Sequence, residues 1–134
     1  MSSVVFEKKD IYSLIEHHIA LLKRFGLVDE EPFSLVYFSL KNNPKIDYAK
    51  IFQEILRKTD ALFQDKTDFV ALLPGTDWNG ANSLLEGIQG FLGQESSDDI
   101  VTFPEDGKNA KEIMASLYKI ILYNLDVEVE MLKF

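Results

Sequence analysis

Two short polar stretches carry the side chains best placed for chemistry. In "RKTD", Arg57 and Asp60 put a five-donor guanidinium and an acceptor carboxylate three residues apart. In "QDKTD", Asp65 and Asp68 flank Lys66 and Thr67. Two carboxylates on one turn could hold a cation, although a solvated acidic turn explains them more simply. Arg57 also has a plain structural reading, since a cation suits the C-terminal end of a helix and Asp60 would then open a strand. His17 and His18 are adjacent, so they point in different directions, and His18 falls on an apolar stripe as a structural histidine would. Trp78 can anchor a partner or pack against the start of its own helix, and packing is favoured. No serine sits in a nucleophile elbow, and cysteine is absent, which excludes thiol nucleophiles, thiolate zinc sites and disulfides.

Hydrophobic periodicity supplies the elements that must position these groups. Ile11, Leu14, Ile15, Leu22 and Phe25 share a helical face, with Gly26 as its stop. "PFSLVYFSLK" reads as a central strand covered on both faces, with 33–40 as its core. Asp47 can cap a helix carrying Tyr48, Ile51, Phe52, Ile55 and Leu56. The apolar runs 61–63 and 69–73 predict a hairpin, and Pro74 and Gly75 end it. Thr76 or Asp77 can cap a helix with Ala81, Leu84, Leu85, Ile88 and Leu92, closed by Gly93. "DIVTFP" predicts a short strand, and Asn109 with Glu112 a capping box for a helix using Ile113, Met114, Leu117 and Ile121. "VEVEM" (127–131) alternates apolar and acidic residues, which predicts a half-exposed edge strand.

The 134 residues suit one domain, with an N-terminal helix in 1–28 and a sheet-and-helix core in 33–131. The expected class is α/β, as an α+β sandwich: a central, mostly antiparallel five-stranded sheet with helices packed on it. Hydrophobic residues make up 46% and charged residues 27%, too apolar a balance for disorder. A formal net charge of −8, spread along the chain, repels phosphate backbones and argues against nucleic-acid binding. No run approaches the ~20 apolar residues of a membrane span. "MSSVVFEKKD" lacks a signal-peptide core, so a cytoplasmic location is expected.

In this order, "DFVALLPGTD", "LLEGIQGFL", "TFPEDG" and "YKIILY" resemble the GGDEF domain family, the diguanylate cyclases of bacterial signalling, over roughly residues 11–131. The resemblance implies a nucleotidyl-cyclase-like fold, and in active members the synthesis of cyclic di-GMP from two GTP molecules on metal ions. Three departures argue against that activity here. The family's two metal-binding aspartates fall on Ser39 and Lys41, and a lysine competes with a cation. The glycine turn that lets backbone approach phosphate becomes Asp65, Lys66, Thr67 and Asp68, one residue short. "NNPKID" (42–47) leads almost directly into the next helix, removing the segment that reads guanine.

The chain is therefore expected to be a degenerate, non-catalytic GGDEF-like module. It would need no cofactor or metal and would act through a protein partner or as a homo-oligomer. An alternative follows from the same resemblance, because Arg57 and Asp60 fall on the family's cyclic di-GMP inhibitory motif. A guanidinium can fork onto guanine O6 and N7, while a carboxylate accepts from N1 and N2.

Overall fold

Every side chain from Phe33 to Phe38 is buried, which a strand achieves only inside a sheet covered on both faces. The computed structural model describes residues 4–40, 46–95 and 97–133. Its elements are β1 (Val4–Glu7), α1 (Ile11–Arg24), β2 (Phe33–Ser39), α2 (Tyr48–Ile55), β3 (Ala61–Asp65), β4 (Asp68–Pro74), α3 (Trp78–Leu92), β5 (Ile100–Phe103) and α4 (Ala110–Leu125). Single 3-10 turns lie at Lys8–Asp10 and Glu130–Leu132. The five strands form one sheet in the order β1-β3-β4-β2-β5. All pairings are antiparallel except β1 with β3.

The period-two alternation of the strands divides the interior into two cores. Phe33, Leu35 and Tyr37 join Phe63, Val70, Leu72, Val101 and Phe103 beneath α1 and α4. Val36 and Phe38 join Leu62, Phe69, Ala71, Leu73 and Ile100 beneath α2 and α3. Ring stacking strengthens both layers, with Phe33 on Phe103 at 4.9 Å and Phe38 on Phe69 at 5.4 Å. Each such fully buried side chain contributes about 1.5–3 kcal/mol of transfer free energy.

Local signals delimit the helices much as their sequence predicts. Gly26 adopts φ +66, so that Leu27 N–H reaches Leu22 O at 2.8 Å and Gly26 N–H reaches Lys23 O at 3.3 Å. Of the two candidate caps for α3, Asp77 is the one used, accepting from Gly80 N–H at 2.9 Å. Asp47 caps α2 by accepting from Lys50 N–H at 3.1 Å. Asn109 caps α4, while Glu112 reaches back to Lys108 N–H, one residue earlier than in the usual reciprocal box.

Three expectations need correction. The fifth strand is β1, not 127–131, so the sheet begins at Val4, inside the segment assigned to a helix alone. β1 lies parallel on the open edge of β3, with Phe6 against Phe63 at 5.7 Å. In 127–131 the alternation holds for burial only from Glu128 on and without pairing: Val129 and Met131 enter the core while Glu128 and Glu130 face outward, and Val127 is 38% exposed. The chain reverses after α4 at Asp126, φ +55, and Tyr118 O–H donates to Glu128, holding the segment against α4. Phe25 is 64% exposed beyond the end of α1, and Ile19 takes the inner position instead.

Candidate functional site

The two polar stretches end up at opposite ends of the β3–β4 hairpin, roughly 16 Å apart for a five-residue strand. At one end the turn narrows to Lys66 and Thr67 between the paired Asp65 and Asp68. Lys66 takes φ +57, so a non-glycine residue occupies the left-handed position. Ser39 sits across from Asp68 in the ladder, and Leu40 N–H extends the pairing to Thr67 O at 3.0 Å. Lys41, the second expected metal position, lies outside the described residues, as does most of "NNPKID".

Each carboxylate of this turn already has a partner. Tyr37, 1% exposed, donates its O–H to Asp68 Oδ1 at 2.6 Å. Burial, then the Asp68 carboxylate, pushes the Tyr37 phenol well above its ordinary range, so it stays a donor at any physiological pH. Lys8 Nζ lies 3.6 Å from Asp65 Oδ2. The Ser39 carbonyl accepts from Gln94 Nε2 at 2.6 Å. Among the described residues no three imidazole or carboxylate side chains gather where a metal ion could sit.

Beside Ser39 opens a cleft of about 230 Å³ lined by Tyr37, Ser39, Gln94, Glu95, Ser97 and Asp99 among others. Asp99 is only 1% exposed, and its Oδ1 accepts from Asn124 Nδ2 at 3.1 Å. Burial raises its pKa, against the opposing pull of the Asn124 and Ser97 hydrogen bonds. Nothing in the sequence marks Tyr37 or Asp99 as special: one reads as strand filler, the other as an acid before a strand. Their roles depend on β2, β5 and α4 meeting in space.

The opposite end is closed by Arg57 and Asp60. The chain leaves α2 at Leu56, turns through Arg57–Thr59 and enters β3 after Asp60, with Asp60 N–H on Arg57 O at 3.0 Å. Asp60 is 4% exposed and accepts from Arg57 backbone N–H at 2.8 Å. The guanidinium forks onto the same carboxylate, with Nη2 to Oδ1 at 2.9 Å and Nε to Oδ1 at 3.2 Å. Nη2 also reaches Pro74 O at 2.8 Å and Thr76 Oγ1 at 2.9 Å, tying the α2–β3 turn to the end of β4. The Arg57 side chain keeps half its surface in solvent, at 51% exposed.

His18 is a structural residue in this fold. Its ring meets Phe33 edge-on at 5.3 Å, and its buried Nε2 has no hydrogen-bond partner. Burial first, and neighbouring His17 second, lower its pKa below the ordinary 6.5. Trp78 opens α3 and is 39% exposed. No helix is long and apolar enough to cross a membrane among the described residues.

No family model matches the chain, and no curated protein does. Solved structures do. One is a crystal structure of a sensory box/GGDEF family protein from Caulobacter crescentus CB15, with a TM-score of 0.67 and 14% sequence identity over 92% of this chain and 95% of that one. At that identity the likeness concerns the backbone: the five-stranded sheet and its four helices make this a GGDEF-like fold.

Proposed function

We propose that the chain is a catalytically inactive GGDEF-like signalling module that acts through protein contacts. The observation that carries this is the state of the β3–β4 turn, where the family resemblance puts the reaction. A hard cation bridging phosphates needs carboxylate oxygens free to coordinate it. Here Ser39 offers a hydroxyl in place of a carboxylate, Asp68 is bonded to Tyr37, and Asp65 faces Lys8. The tight turn has no glycine and presents side chains where phosphate would need bare backbone. Purified protein with GTP and magnesium or manganese should yield no cyclic di-GMP by chromatography. Product above a no-enzyme control would refute the reading.

Recognition of cyclic di-GMP by Arg57 and Asp60 has weaker support. The carboxylate that would accept guanine hydrogens is buried and already holds Arg57 through both of its oxygens. Asp60 could turn to guanine only by loosening its hold on Arg57, although the half-exposed guanidinium lines an open cleft of about 210 Å³ with Thr76 and Gly80. Calorimetric titration at high micromolar cyclic di-GMP is expected to show no heat of binding.

A further inference from the structure

We infer that the cleft between α1 and the β1 edge of the sheet is a binding site for a small apolar monocarboxylate. The cleft measures about 210 Å³ and is distinct from both polar ends described above, since neither Arg57 and Thr76 nor Ser39 and Asp68 line it.

The ladder explains why the hollow exists. Val4 of β1, Ala61 of β3 and Leu72 of β4 are successive cross-strand partners, so their side chains stand in a row on the α1 face. The small Ala61 sits in the middle of that row, and α1 crosses above it without filling the gap. The floor is therefore apolar, and Leu14 of α1 adds to it.

The polar groups around this floor are donors without protein partners. Among the described residues the side chains of His17, Lys58 and Thr59 make no hydrogen bond or ion pair. Asp60 is the one acid lining the cleft, and its carboxylate is 3% exposed and held by Arg57. The rim is thus cationic on a chain of net −8. His18 also lines the cleft, and its buried Nε2 has no hydrogen-bond partner. A buried polar group left unpaired costs free energy, which an acceptor reaching it would recover. Nε2 is closed to water, so an acceptor in the cleft meets it through a turn of the imidazole about its soft χ2.

Donor set and size together define the ligand. Lys58 donates only, Thr59 and an imidazole N–H can donate as well, and a carboxylate offers acceptors to all three. Lys58 supplies one fixed positive charge, which balances a monocarboxylate and falls short of a phosphate dianion. An apolar cavity of about 150 Å³ takes benzene. This cleft has room for such a ring on its floor with the carboxylate at the rim.

Benzoate is the probe, followed by NMR of the imidazole and backbone amide resonances of the full chain. Saturable shifts are expected at the His17 and His18 rings and at the Thr59 and Ala61 amides, with a Kd of about 1 mM. Benzyl alcohol carries the same ring without the charge and should bind at least about tenfold more weakly. Lys58→Ala, at an exposed turn position, should weaken benzoate by about tenfold and leave benzyl alcohol unchanged. Ala61→Leu fills the hollow and should block both probes. No saturable shift at His18 up to about 20 mM benzoate overturns the inference. So do equal affinities for the two probes, a Lys58→Ala variant that binds benzoate as the wild type does, or shifts scattered over the surface.

Discussion

Replacing Arg57 by alanine removes the cation from a buried carboxylate, and the cost should depend on how each partner meets solvent. Asp60 is 3% exposed at its side chain and Arg57 51%. In the variant, Asp60 keeps the residue-57 backbone N–H but loses the guanidinium fork, and the Pro74 carbonyl and Thr76 hydroxyl lose their tie to the α2–β3 turn. Stripping one partner from a fully buried pair costs about 3–5 kcal/mol. Solvent already screens the exposed half of this one, which lowers the expectation to about 2–3 kcal/mol. Asp60→Asn keeps volume and an acceptor and leaves an arginine that water can reach, so it should cost only about 1–2 kcal/mol. The double variant should fall short of the sum by about 1 kcal/mol, because the second change removes a charge the first had orphaned. Urea denaturation at neutral pH, with an unchanged denaturant slope, measures all four corners of the cycle. In a thermal melt, Arg57→Ala should appear as a loss of about 6–12 °C. If Arg57→Ala lies within about 0.5 kcal/mol of wild type, the pair is an ordinary surface bridge and the reasoning fails. Strict additivity would refute it as well.

Other outcomes follow from the buried polar groups. Ser34, fully buried in β2, donates to Thr76 O at 2.8 Å and shares a hydrogen bond with Thr102 Oγ1 at 3.0 Å. Ser34→Ala should therefore cost about 1–3 kcal/mol in chemical denaturation, although it adds an apolar surface to an apolar layer. Asp99 has its pKa raised by burial, so the folded state binds its proton more tightly and stability falls as pH rises above the ordinary 3.8. Asp99→Asn should raise the melting temperature near neutral pH and do little at the acidic end of the profile. His18 shifts the other way: burial favours the neutral ring, so stability is lost as pH falls below 6.5. His18→Phe should flatten that acid limb; a limb of unchanged steepness would show that another group titrates there.

Much of the architecture was legible because periodicity and capping are local. Asp47, Gly26, Gly93 and Asn109 act where their types and neighbours place them. The both-faces-apolar run of β2 announced a central strand, and its place between β4 and β5 bears that out. Edges were harder to read. The alternation in 127–131 states which side chains turn inward, and Val129 and Met131 do so without any ladder. Val4–Glu7 is too short to show a period, and it becomes a strand only because β3 offers an unpaired edge in register.

The sequence by itself determined the caps of the helices, the central hairpin and the lack of a carboxylate at position 39. Composition and spacing along one chain suffice for all of these. Only the tertiary structure decided what the polar groups do. The sequence leaves residues 57 and 60 without partners; folding brings Pro74 and Thr76 beside them, and the guanidinium bonds both while half of the side chain stays in solvent. Asp68 could have held a cation, but β2 places Tyr37 within 2.6 Å of it. Hydrogen-bonding capacity is a property of each residue, whereas its partner is a property of the elements packed around it, and those partners come from 17 to 31 positions away along the chain.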